Sequence, residues 1–248
     1  APPIAAAKTA VARDGFLYLA LEYVDGQALA RRHERFGDVP WALVVLLGVA
    51  RGLAAVHEHG IVHRDLKPAN VLVREDSAGR VCAVKIADFG ISNAKHAEAP
   101  PDTASPREGD PREPDTVDWA LPKAGTQSAV QESPLTRADA VLGTPLYMAP
   151  ELVRNARSLS TASDVYSFGV LAFELLHGRR PFSEQEALAR AFGFATASPP
   201  AEYPPTVPAQ LARLLKQALA PDAAARPTAE ELVAVLAAVA AEEGAMSA

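Results

Sequence analysis

Glycine supplies the first telling shortage. The chain has 15 glycines in 248 residues, and nowhere do they form G-x-G-x-x-G. A loop that cradles nucleotide phosphates under closely spaced bare amides is therefore not encoded. Cysteine is scarcer still. Cys82 stands alone, so no intrachain disulfide can form, and a reduced, inert thiol in a cytosolic setting is expected. Positive charge is also short: the net charge is −6 and lysine is scarce beside arginine. That balance gives no support for a nucleic-acid or membrane-surface partner. The apolar run near the end, residues 232–241, is too short to cross a bilayer, and no signal peptide is expected at residues 1–24. The first residue is Ala1, from which a processed chain or a piece of a longer one is expected.

What is present suits one domain, or one and a fraction, with a real core. Hydrophobic residues make up 49% and charged residues 22%, as in ordinary globular chains. Residues 15–24, GFLYLALEYV, follow an Asp-Gly pair and predict a buried strand running into a connector. Residues 40–60 combine an early proline, helical apolar spacing and a final glycine, which predicts a long helix. Two short apolar pieces, 71–73 and 81–86, predict a hairpin around the polar turn 75–80. Helices are predicted again over 163–182, 208–220 and 228–241, the last opening with the capping sequence TAEEL.

Between residues 96 and 136 the character changes. Seven prolines accompany eight acidic and three basic residues, a net charge of −5, without any helical or strand period. Such a stretch cannot bury enough surface to offset its ordering entropy, so a disordered insertion that proteases nick first is expected.

Chemistry-bearing residues cluster in a definite order. His63-Arg64-Asp65 is followed by Lys67 and Asn70, then by Asp88-Phe89-Gly90. Gly143-Thr144 and Ala149-Pro150-Glu151 come next, then Asp164 within SDVYSFG and finally Arg226-Pro227. Any one of these tripeptides alone is an ordinary polar turn, cap or ion pair. In this order and spacing they resemble the eukaryotic-like serine/threonine protein kinases of bacteria, and LEYVDG at 21–26 is similar to that family's hinge.

The resemblance covers nearly the whole chain outside the acidic insertion. It implies an α+β, protein-kinase-like fold: a mainly helical large lobe, with most of the small lobe missing. On that reading residues 1–24 are a remnant of the small lobe and hinge, and 25–248 are the large lobe. It also implies ATP and magnesium as cofactors and serine or threonine hydroxyls of proteins as acceptors. Phosphoryl transfer needs in-line positioning and charge neutralisation more than covalent chemistry. Asp65 is expected to accept or orient the hydroxyl proton, and Lys67 to reach the γ-phosphate. Asn70 and Asp88 offer the hard oxygens that magnesium prefers. Glu22 and Val24 are expected to meet adenine through their backbone, with Leu72 beneath the ring. His63 and Arg64 flank the loop's aspartate; Phe89 and Gly90 complete the metal-binding loop. Asp164 is expected to brace the catalytic loop through its backbone, and Glu151 to pair with Arg226. Arg64 suggests activation by a phosphate, since arginine pairs bidentately with phosphate. The candidate acceptors are Thr126, Ser128, Ser133 and Thr136, while Thr144 sits where the family contacts substrate and Lys67.

Two departures qualify the resemblance. Lys8 in AAAKTA looks like the family's strand lysine, but only twelve residues separate it from Leu21, too few for the intervening helix and strands. It is expected to be a solvated side chain in the stretch that enters the hinge strand. From Asp88 to Glu151 there are 64 residues, more than the family pattern implies. The chain alone is therefore expected to bind ATP weakly and to transfer little or no phosphate. The competing class is a non-catalytic kinase-like binding or regulatory module. His33, His57, His59, His96 and His177 stand without a partner cluster, so no metal site beyond magnesium is expected. A cytoplasmic setting is expected, with any membrane segment of a parent protein outside this chain.

Overall fold

The computed structural model describes residue 4 and residues 7–13, 16–88, 146–154, 158–191 and 202–246. Phe89, Gly90, Thr144 and the four candidate phosphate acceptors, Thr126, Ser128, Ser133 and Thr136, lie outside the described residues, as does the acidic stretch 96–136.

Two strands open the fold, β1 (Ala7–Arg13) and β2 (Phe16–Leu21), paired antiparallel with a register irregularity between Ala7 and Thr9. Lys8 thus lies in a strand of its own and not merely in an approach to the hinge strand. AKTAVAR carries little β preference, so pairing with β2 specifies the strand more than its own residues do. The connector 22–26 follows. It ends where Gly26 lies so close to β4 that an added Cβ would stand 2.8 Å from the Val73 carbonyl oxygen.

A three-stranded antiparallel sheet in the order β3-β4-β5 comes next, with β3 at Gln27–Ala28, β4 at Val71–Glu75 and β5 at Val81–Ile86. The β4–β5 pair is the hairpin that the two apolar pieces predict, and Gly79 supplies the positive φ its turn requires. One face of the sheet, through Val71, Val73, Val84 and Ile86, packs into the core. Ile4 bridges Ile86 in parallel on the outer edge of β5.

Helix α1 (Val39–His57) begins at Asp38, whose carboxylate accepts from the Trp41 N–H at 3.2 Å, with Pro40 in the first turn where its missing N–H costs nothing. It ends before Gly60, which takes a φ of 69°. By length and composition α1 could cross a membrane, but 61% of its apolar window is buried inside the fold, so it serves as a core helix. Gly48 on α1 has no room for a side chain, because an added Cβ would stand 2.5 Å from the Val84 Cβ. That contact locks α1 onto β5.

Three short or medium helices and a central one follow: α2 (Pro150–Arg154), α3 (Thr161–His177), α4 (Glu184–Ala191) and α5 (Ala209–Ala218). The chain then runs into α6 (Ala229–Met246), which packs on α1. The residues from Ser163 to Leu176 are all buried, so α3 is the axis of the helical part. Ser160 and Ser163 cap its start reciprocally, and Gly178 closes it in the left-handed conformation. Phe168 and Phe173 are fully buried on this helix, each contributing about 2–3 kcal/mol of apolar transfer. Thr228 and Glu231 form a second capping box at α6, as TAEEL predicts.

Candidate active site

Between α1 and β4 the chain makes an irregular loop, 61–67, then a single 3-10 turn at Pro68–Asn70. Nothing in the loop's own backbone holds it open. Asp164, in the first turn of α3 and 1% exposed, does that work from outside. Its Oδ2 accepts from the His63 N–H at 2.7 Å, and its Oδ1 from the Arg64 N–H at 2.9 Å. The same Oδ2 lies 2.9 Å from His57 Nε2, at the end of α1. A carboxylate at a helix N-terminus is stabilised by the macrodipole, which offsets part of the cost of its burial. His57, which lacked a partner cluster in the sequence, is therefore bound into this network 107 positions from its partner.

The two bonds from Asp164 flank a strained residue. Arg64 has a φ of 74°, a region that non-glycine residues occupy only when neighbours enforce it. His63 beside it is fully buried. Its Nε2 lies 3.0 Å from the Ala87 carbonyl, and its Nδ1 receives the Asp65 N–H at 3.4 Å. Those partners suit the neutral ring protonated at Nε2. Burial lowers the pKa of His63 below the usual 6.5, even though Asp164, the Ala87 carbonyl, Asp65 and Asp88 pull the other way.

The strained turn presents Asp65 outward. Asp65 Oδ2 accepts from Lys67 Nζ at 2.7 Å and from Asn70 Nδ2 at 3.0 Å. Asn70 Nδ2 also donates to the Asp65 carbonyl at 2.8 Å. Because the amide nitrogen is engaged by Asp65, the Asn70 Oδ1 is turned away from it and is available as an acceptor. Asn70 and Asp88 lie at the open ends of β4 and β5. Val71 pairs with Ile86, and the Ala87 N–H donates to the Asn70 carbonyl at 2.9 Å. Asp88 is exposed, with a left-handed φ of 56°.

Two residues with hard oxygen donors thus sit at adjacent strand ends. No group of three or more His, Cys, Asp or Glu side chains that could hold a metal converges among the described residues. This donor set fits magnesium, which is bound through one or two protein oxygens and completed by phosphates and water. Glu22, Val24 and Leu72, the residues expected to meet adenine, are all partly buried, and Leu72 lies on the sheet face away from α1.

A second cluster anchors the segment that begins at Leu146. Arg226, with its side chain fully buried, makes a fork with Glu151: Nη1 to Oε1 and Nη2 to Oε2, each at 2.8 Å. The guanidinium also donates to the carbonyls of Ala220, Ala162 and Pro221, and stands over the Tyr166 ring at 5.0 Å. Burial alone would raise the pKa of Glu151, but the bonds from Arg226 and Ser163 outweigh it and hold the carboxyl below its usual range. Tyr147 donates to Glu174 on α3, and its carbonyl accepts from Ser167 Oγ at 2.8 Å. Burial pushes the Tyr147 phenol well above its ordinary pKa. A cleft lined by Arg64, Asp65, Tyr147, Met148, Ser163 and Ser167 opens between this segment and the catalytic loop.

Several of these contacts leave no local signature. Lys85 on β5 is buried and reaches both carboxylate oxygens of Glu22, 63 positions away. A lysine in the apolar strand VCAVKI was the available hint that a buried acid would face it.

Comparison of the amino-acid sequence with known proteins identifies its family. The family described as protein kinase domain matches residues 1–109 and 118–235. The chain belongs to that family. Among similar proteins, the serine/threonine-protein kinase drp72 of Corynebacterium efficiens is 34% identical over 85% of this chain. PknA of Corynebacterium glutamicum is 32% identical over 90% of it, and PkaA of Streptomyces coelicolor 33% over 93%. The chain covers 33%, 39% and 36% of those three relatives' lengths, respectively. The mainly helical fold with its small three-stranded sheet agrees with a kinase fold that has little of the small lobe.

Proposed function

We propose that this protein kinase domain transfers the γ-phosphate of ATP to serine or threonine hydroxyls of proteins. The observation that carries the reading is the Asp65–Lys67–Asn70 constellation, in which one carboxylate oxygen is engaged by a cation and an amide. Those bonds orient the carboxylate to receive or steer a hydroxyl proton. Lys67 is poised to swing from Asp65 to the transferring phosphoryl group, and a lysine at this offset resembles serine/threonine enzymes. The names of the similar proteins support the same acceptor class. Asn70 Oδ1 and Asp88 would hold magnesium, which would neutralise phosphate charge. Val24, with the connector backbone, and Leu72 would receive the adenine. The free, exposed thiol of Cys82 suits the cytoplasmic setting that this reading carries with it.

The missing G-x-G-x-x-G favours one competing reading, a kinase-like module that binds without transferring. Calorimetric titration with MgATP, followed by a long transfer assay at high protein concentration on a serine/threonine peptide, separates the two. The expected result is magnesium-dependent binding with a Kd on the order of a millimolar. Asp88→Asn should weaken that binding about tenfold, and slow transfer should vanish in Asp65→Asn. Binding that ignores both magnesium and Asp88 would overturn the proposal. Binding without any Asp65-dependent transfer would favour the module.

A further inference from the structure

A lysine that is 4% exposed in a sheet needs a specific reason. Side chains alternate along β5, so Lys85 points away from Val84 and Ile86, which bury against the helical core. Its cross-strand partner on β4 is Leu72, and paired residues share a face. Lys85 therefore lies beside the residue expected under the adenine ring. Its ammonium binds both oxygens of Glu22, the first residue after β2. Tyr23, the next residue, is 86% exposed, so its side chain adds little to holding the connector in place.

We propose that Lys85 is a positioning residue of the nucleotide site, setting through Glu22 where the connector backbone stands over Leu72. The inference rests on the nucleotide-binding reading above. Only one residue separates Glu22 from Val24, so any tilt at Glu22 carries into the amide and carbonyl that would meet the base. The lysine stem adds apolar floor beside Leu72. Three residues later the chain leaving β5 reaches Asp88, so β5 links the base end and the metal end of the same ligand.

The test compares the wild-type chain with Lys85→Met, Lys85→Arg, Glu22→Gln and the Lys85→Met/Glu22→Gln double variant. Binding of MgADP and MgGDP is titrated, and amide hydrogen exchange is followed in residues 22–26 and 63–70. Lys85→Met should weaken MgADP binding about tenfold and narrow the preference for adenine over guanine. It should speed exchange in 22–26 and leave 63–70 unchanged. Lys85→Arg should restore part of the affinity, and the double variant should bind no worse than Lys85→Met alone. A lysine with a merely structural role would lower stability without changing base preference. Wild-type binding with Lys85→Met unchanged in affinity and exchange overturns this role alone. Wild-type protein that binds neither nucleotide overturns the nucleotide reading, and this role with it.

Discussion

Two irregular segments meet the same small sheet and are secured in opposite ways. The loop 61–70 is held from behind by the helical part. Asp164 takes two of its amides, His63 reaches the Ala87 carbonyl, and Asn70 ties back to Asp65. The connector, 22–26, leans on the Lys85–Glu22 pair and on the close approach of Gly26 to Val73. The first segment is thus tied to the helical part, whereas the second is tied to β5 through Lys85 and Glu22. Damage to the first segment should register mainly as lost stability, and damage to the second as lost nucleotide affinity.

The largest expected effect is at Asp164. Truncation to alanine orphans the His63 and Arg64 amides, strips His57 of its partner and removes what enforces the left-handed Arg64. Urea unfolding of Asp164→Ala should show a loss of about 3–5 kcal/mol, with exchange in 22–26 little changed. A loss below about 1 kcal/mol would break the comparison, because the loop would then hold itself.

Gly48→Val should cost less and act on both segments. The new side chain enters the space of Val84, forcing β5 off α1, and overpacking of this kind costs about 1–3 kcal/mol. Since β5 carries Lys85 and leads to Asp88, nucleotide affinity should fall together with the unfolding midpoint. A variant that loses stability while keeping full affinity would show that β5 does not register the site.

The smallest effect concerns pH. Glu151 has a folded pKa below its unfolded value, so its pairing with Arg226 stabilises fully above the ordinary carboxylate range near 4.5. That contribution is lost as pH falls through the depressed folded value. His63 works in the other window: its folded pKa is lowered, so the unfolded chain binds the proton first and stability declines as pH drops below about 6.5. Thermal melts of wild type and His63→Gln between pH 7.5 and 5.5 should converge toward the acidic end. Parallel curves would mean that His63 accepts a proton in the folded state as readily as in the unfolded one.

Much of the frame was legible in the chain. Proline and glycine punctuate α1, TAEEL announces α6, and the apolar pieces around residues 75–80 announce the β4–β5 hairpin. These signals are local, set by φ preference, capping and alternation. The order of His-Arg-Asp, Asp-Phe-Gly and the later clusters was legible too, because each is a contiguous string. What escaped depends on partners far apart. His57 reads as a lone helix-end histidine until α3 brings Asp164 beside it, 107 positions away. Lys85 reads as an odd residue in an apolar strand until the connector folds back with Glu22. The strand β1 escaped for another reason: AKTAVAR gains its extended form from pairing with β2, which no local preference records.

The most direct test of the central contrast is residue-resolved hydrogen exchange on the unliganded wild-type chain. The account predicts that the His63 and Arg64 amides, donated to Asp164, exchange almost as slowly as the core of α3. The amides of Tyr23, Val24 and Asp25 should exchange within the fast, locally opening class. Equal protection of the two segments, or fast exchange at His63 and Arg64, would contradict a loop held in place by the helical part.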